Sequence, residues 1–383
     1  DCLATLACAR ALGIDVERHD AERLTIHGRG LHGFQKPSGL LDCVRSGTTM
    51  RLLAGILAGQ PFESILTGDP QLLRRPMRRI AGPLREMGAD VSTTDGRAPL
   101  TIRRSALHGR EHVLPVASAQ VKSAILLAGL YADGPTFVRQ PGPARDHTEL
   151  MLSAMGAEVE ISGLDVTLTP NPSPLRPLDL TVPGDVSSAA FLMVAALLLP
   201  GSEITVEDVG VNPTRTGLLD VLGNMGARIS VASRPHQGGE PTADVTARGS
   251  DLHAVQISGD IVVRMIDEFP LLAVAATQVN GTTVVREAAE LRVKETDRIA
   301  VIAAELQKMG ADIEPQPDGF VVRGPTPLRA AIIDSHGDHR IAMALAVAGL
   351  LASGETTVRN AHCIADSFPG FTKTLQEIGA PIT

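Results

Sequence analysis

The chain has 383 residues, a net charge of −8, no tryptophan and a single tyrosine, Tyr131. The acidic balance argues against nonspecific binding to DNA or to anionic membranes, and so few broad aromatic rings argue against a base-stacking platform for single strands. The length suits two domains of about 190 residues each. A local cluster of arginines could still bind an anionic substrate against the global sign.

Cys2, Cys8, Cys43 and Cys363 show neither a CxxC pair nor metal-ligand spacing. Reduced thiols in the cytoplasm and no metal site are expected. Apolar stretches such as Ala189–Leu199 are too short to span a membrane.

A repeat runs along the chain. A helix, then Gly-Ala, then a strand is expected at Met87-Gly88-Ala89, Met155-Gly156-Ala157, Met225-Gly226-Ala227, Met309-Gly310-Ala311 and Ile378-Gly379-Ala380, with Leu12-Gly13-Ile14 a weaker copy. The glycine stands where a helix C-terminus needs a left-handed residue. Five apolar runs lie upstream of these endings: Leu52–Ala58, Ala124–Leu130, Ala189–Leu199, Leu271–Val279 and Ile341–Ala352. Each reads as a buried helix. Six copies imply an α/β protein of two domains with three repeated units each, 1–182 and 183–383, with Pro183-Gly184 opening the second. The first copy has its ending but no apolar helix ahead of it, so that half-unit is expected to be missing.

Polar segments precede these helices, where free backbone N–H groups and the helix dipole favour anions. Ser46-Gly47-Thr48-Thr49-Met50-Arg51 reads as a capped helix or as an anion loop. Arg74-Arg75-Pro76-Met77-Arg78-Arg79 places four arginines at an expected helix start with proline in its first turn. An anion would resolve that conflict with the dipole; a solvated basic patch is the alternative. Ser118-Ala119-Gln120-Val121-Lys122 opens the third apolar helix, and Arg145-Asp146-His147-Thr148-Glu149 the helix after it. Asp185 reads as an N-cap. Asp267 is either an N-cap, a general base, or both. Arg292-Val293-Lys294-Glu295-Thr296-Asp297-Arg298 is the densest charge cluster. If helical, it puts Lys294 and Glu295 on one face with Arg298. Gly337-Asp338-His339-Arg340 precedes the last apolar helix.

Together these segments resemble the 5-enolpyruvylshikimate-3-phosphate synthase family, in order and over essentially the whole chain. Lys294-Glu295-Thr296-Asp297-Arg298 and Asp338-His339-Arg340 are the most specific motifs. Ala119 and Arg145-Asp146-His147-Thr148-Glu149 are similar to the bacterial branch called class II. The resemblance implies two inside-out α/β domains of the enolpyruvyl transferase fold, the first unit incomplete. It implies transfer of the enolpyruvyl group of phosphoenolpyruvate to the 5-hydroxyl of shikimate 3-phosphate, with release of phosphate, by a monomer without cofactor, metal, nucleic acid or membrane.

By the same resemblance, shikimate 3-phosphate is held by Ser118, Ala119, Gln120, Arg145, Asp267 and Lys294. Phosphoenolpyruvate is held by Gly47, Arg75, Gln120, Glu295, Arg298 and Arg340. Asp267 is the implied base on the 5-hydroxyl and Glu295 the proton carrier at C3, with Lys294 steadying anionic oxygens. The chain departs from the family pattern at Arg45, which stands in place of an asparagine. It departs again at Asp366, where some members have lysine, and it lacks an N-terminal lysine-bearing motif. The rival readings are a UDP-N-acetylglucosamine enolpyruvyl transferase, which usually carries a catalytic cysteine near its basic segment, and an inactive anion-binding fragment.

Overall fold

Six helices end in one and the same way: Cys2–Ala11, Arg78–Glu86, His147–Ala154, Gly217–Asn224, Arg298–Lys308 and Phe371–Glu377. Two residues past each lies a glycine, Gly13, Gly88, Gly156, Gly226, Gly310 or Gly379, with φ between +82° and +100°. The next residue's N–H reaches back five residues to a helix carbonyl: Ile14 to Ala9, Ala89 to Leu84, Ala157 to Leu152, Ala227 to Leu222, Ala311 to Leu306 and Ala380 to Leu375, all at 2.9–3.0 Å. This is the Schellman closure, and it turns the chain sharply into the following strand. The weak first copy is as well formed as the rest.

The computed structural model describes residues 1–171 and 173–383. They divide into two units, Asp1–Leu180 and Thr181–Thr383. The expected apolar helices are present as Gly47–Ala58 and Ala119–Gly129 in the first unit, and as Val186–Leu198, Phe269–Thr277 and His339–Leu351 in the second. Each begins two to five residues ahead of its apolar run, because the polar segment supplies the first turn. Every residue of Phe269–Thr277 is buried. At about 1.5–3 kcal/mol for each fully buried large aliphatic or aromatic side chain, such helices dominate the cohesion of their units.

Sheets form the outer layer. In the first unit, Leu41–Asp42 pairs in parallel with Ser64–Thr67, the strand on the far side of helix Gly47–Ala58, and the hairpin of Asp90–Thr94 with Arg97–Arg103 adds antiparallel. The same strand order recurs around Ala119–Gly129 and around Phe269–Thr277. Strand Glu203–Gly210 alternates exposed with partly buried positions, as a sheet with one wet face must. Each unit therefore carries its apolar helices inside and its sheets outside. The hydrophobic cluster of each unit draws on that unit's own residues. No helix among the described residues is long and apolar enough to cross a membrane.

Gly55 sets how closely two of the inner helices approach. A Cβ there would lie 2.2 Å from the Ala124 carbonyl oxygen, while a Cβ on Gly82, also inside a helix, would meet nothing within 4 Å. Gly55→Ala is expected to cost about 1–3 kcal/mol by overpacking, and Gly82→Ala to gain about 0.5–1 kcal/mol by helix propensity. Urea unfolding of both variants checks this; equal midpoints would mean that the Gly55 contact yields freely.

Candidate functional site

In the second unit the site is built around Arg298, the first residue of helix Arg298–Lys308, whose side chain is 2% exposed. Its Nε donates to Asp338 (2.9 Å) and one Nη to Glu295 (2.7 Å), while the other faces Asp267 at 3.4 Å. Burial opposes the charge, yet Asp338, Glu295 and Asp267 outweigh it and hold the guanidinium's pKa above its ordinary value. Asp338 works in two directions. One oxygen caps helix His339–Leu351 by accepting from the Arg340 N–H (2.9 Å); the other accepts from Arg298 Nε and from Thr296 Oγ1 (3.1 Å). A helix cap expected from sequence is thus also the anchor of a buried cation.

Two expectations give way here. The segment from Lys294 to Thr296 is not helical: a 3₁₀ turn, Ala289–Val293, ends at Lys294 in an extended conformation, and Asp297 caps the next helix through the Ala300 N–H (3.0 Å). Asp297 is in turn gripped by Arg292 at 2.5 Å. The side chains meet because the loop folds back, not because they share a helical face. Asp267 is not an N-cap either. Glu268 holds that position on Phe269–Thr277 without a side-chain cap bond, which leaves Asp267 turned to Arg298. Lys294 lies half-buried, and desolvation lowers its pKa, with Arg298 lowering it further against the pull of Asp267.

Arg340 occupies the first turn of helix His339–Leu351, 9% exposed. Near it, Asp185 caps helix Val186–Leu198 through the Ser188 N–H (3.1 Å) and pairs with Arg215 at 2.5 Å. Burial pushes the Asp185 carboxyl up, but Arg215 and then Arg340 draw it below its ordinary range. Arg215 also donates to Ser187 Oγ (2.8 Å). Sequence reasoning passed over Arg215, which sits in a loop between repeats with no motif to mark it.

In the first unit the cluster forms around Gly47, the first residue of helix Gly47–Ala58, capped by Ser46 through the Thr49 N–H (3.1 Å). A Cβ on Gly47 would lie 2.9 Å from an Arg75 Nη and 3.0 Å from an Arg51 Nη, so two guanidinium groups close over its backbone. Gln120, one residue into helix Ala119–Gly129, joins them. Its Oε1 accepts from Arg51 (2.5 Å) and its Nε2 donates to Thr48 Oγ1 (2.9 Å). Gly47, Arg75 and Gln120 are therefore neighbours. Thr48 and Arg51 belong with them, although both were read only as parts of the glycine loop.

Ser118 is the N-cap residue of the Gln120 helix without a side-chain cap bond, and Ala119 is that helix's first residue. Arg145 stands half-buried just before helix His147–Ala154. Pro76 does not start a helix as expected: it bridges Arg97 across the sheet, and the helix begins at Arg78. Arg45 is tied down by Gln71 (2.8 Å) and Asp69 (3.4 Å), so the charge that replaces an asparagine is neutralised locally. Among the described residues no cluster of His, Cys, Asp or Glu has the makings of a metal site.

A family model described as EPSP synthase (3-phosphoshikimate 1-carboxyvinyltransferase) matches residues 1–375. The chain belongs to the EPSP synthase family. The 3-phosphoshikimate 1-carboxyvinyltransferase of Desulforudis audaxviator is 53% identical over 380 residues, which is 99% of this chain and 88% of that protein. The Geobacillus kaustophilus protein of the same name is 50% identical over 382 residues, with 99% and 89% covered. Among solved structures, EPSP synthase from Acinetobacter baumannii is similar with a TM-score of 0.89 at 45% identity, covering 100% of this chain and 88% of that one. The two-layered repeat with its helices inside is accordingly an EPSP synthase fold. The Arg298 and Gly47 clusters are what this family member carries at its helix starts.

Proposed function

We propose that this chain transfers the enolpyruvyl group of phosphoenolpyruvate to the 5-hydroxyl of shikimate 3-phosphate and releases phosphate, a step of aromatic amino acid biosynthesis. Family membership over residues 1–375 supports the reaction. What carries the assignment of residues is the Arg298 cluster, which gathers Asp267 and Glu295 on one cation at 3.4 and 2.7 Å.

In this reading Asp267 takes the proton of the 5-hydroxyl as that oxygen bonds to C2 of phosphoenolpyruvate, and Glu295 delivers a proton to C3. The tetrahedral adduct then loses phosphate from C2, and the proton that leaves C3 returns to Glu295. In the same reading Lys294, Arg340, Arg75 and the backbone of Gly47 bind anionic oxygens of the substrates. Gln120, with Ser118, Ala119 and Arg145, holds shikimate 3-phosphate. A lowered Lys294 pKa suits this role, because an approaching phosphate or carboxylate restores the charge that burial disfavours. We read the protein as a cytoplasmic monomer acting on small anions, and the net charge of −8 disfavours nucleic acid or an anionic membrane as its partner.

Phosphate release from phosphoenolpyruvate is the test, with shikimate 3-phosphate, with UDP-N-acetylglucosamine, and with neither acceptor. Release is expected with shikimate 3-phosphate alone. Release with the UDP-sugar, or none with either, would sink the reading.

A further inference from the structure

The first unit contains an ion pair that the proposed chemistry does not use. Lys122 and Glu149 face each other at 2.5 Å, and both side chains are 1% exposed. They join different helices, Ala119–Gly129 and His147–Ala154. The Lys122 ammonium also donates to the Ala144 carbonyl (3.4 Å), in the loop that leads into the second helix. One residue along, Ser123 and Thr148 make a second bridge between the same helices, Oγ to Oγ1 at 2.7 Å.

As a contribution to stability this is an unpromising arrangement. Two charges removed from water gain little over a well-packed apolar pair, and replacing such a pair by hydrophobic residues is often neutral or stabilising. What an apolar pair cannot supply is directional registry. The ammonium is held at once by a carboxylate on one helix and by a carbonyl in the loop before it, so the Ala144–Glu149 segment cannot slide along helix Ala119–Gly129. The residues on either side of this clamp are those assigned to shikimate 3-phosphate. Gln120 precedes Lys122 by two residues and is itself tied to Thr48 and Arg51. Arg145 follows Ala144 directly.

We infer that Lys122 and Glu149 are positioning residues, which fix the Arg145 loop against the start of the Gln120 helix so that both groups meet one shikimate 3-phosphate. The inference rests on the proposed reading of Gln120 and Arg145 as ligands of that substrate. Small misplacements of such ligands weaken binding out of proportion to their size.

Glu149→Gln keeps the shape of the side chain and removes its charge. The KM for shikimate 3-phosphate, which both Gln120 and Arg145 hold, is expected to rise at least about tenfold, and the KM for phosphoenolpyruvate, assigned to Gln120 but not to Arg145, by a clearly smaller factor, in a protein with native circular dichroism. A general loosening of the fold would move both constants together. If Glu149→Gln does not fold, Lys122→Met/Glu149→Leu is measured in the same way. An unchanged KM for shikimate 3-phosphate in either folded variant overturns the inference, as does failure of both to fold, since the pair would then serve stability alone. Gln120→Ala separates this from the parent reading: if its KM for shikimate 3-phosphate is normal, the substrate assignment fails whatever the pair does.

Discussion

Arg298→Ala is expected to lower the unfolding free energy by about 3–5 kcal/mol and to remove detectable turnover. The magnitude is that of breaking a buried ion pair by deleting one partner. Here the deletion strands Asp338, whose side chain is 0% exposed, together with Glu295 and Asp267 at 20% and 18%. Asp338 would keep its helix-cap bonds but lose the cation that balances it. The two carboxylates proposed to carry protons would lose the group that sets their positions. Arg298→Lys is expected to recover part of the stability and little of the activity, because an ammonium cannot reach three carboxylates through a planar fork. Urea unfolding and phosphate release measured together are the check. A wild-type midpoint for Arg298→Ala would show that the cluster does not bind its unit together.

Asp267→Asn and Glu295→Gln are each expected to slow turnover by at least about a hundredfold, the usual scale for loss of a proton-transferring group. Substrate binding should suffer less, since Arg298 keeps its pairing with Asp338 at 2.9 Å in both variants. Asp267→Asn should have a second effect. Burial and Arg298 already lower the Lys294 pKa, and Asp267 is the main group raising it. Removing an anion that favours the charged form lowers that pKa further, so the neutral amine appears at lower pH. The alkaline limb of the residual activity is therefore expected to move to lower pH in Asp267→Asn and to stay in place in Gln120→Ala. Near-normal turnover in either carboxylate variant removes that residue from the mechanism.

The sequence carried a great deal of the fold on its own. All six helix ends were legible, because only glycine takes a φ near +90° without strain, and a Met-Gly-Ala, Ile-Gly-Ala or Leu-Gly-Ile triplet after a helix leaves few other conformations. The five inner helices were legible for a related reason: an apolar run of that length must be buried, and a polar cap such as Ser46, Asp185 or Asp338 marks where it starts. Several of the motifs, such as Ser46-Gly47 and Asp338-His339-Arg340, stand at those starts, so part of the candidate site could be named in advance.

Which side chains touch was decided only by the tertiary structure. Asp267 and Asp338 look alike as acids ahead of apolar helices. One is a cap and the other is not, because the backbone places Glu268 at the cap position of Phe269–Thr277. Arg298 meets Asp338 forty residues later, and Arg51 meets Gln120 across sixty-nine. Neither separation leaves a periodic trace in the chain, and Arg215 has no motif at all. Local sequence dictates local backbone geometry through sterics and burial. The pairing of charges depends on which helix starts the folded core brings within 3 Å of one another, and that is settled by packing between segments distant in sequence, as when Gly55 admits the Ala124 carbonyl.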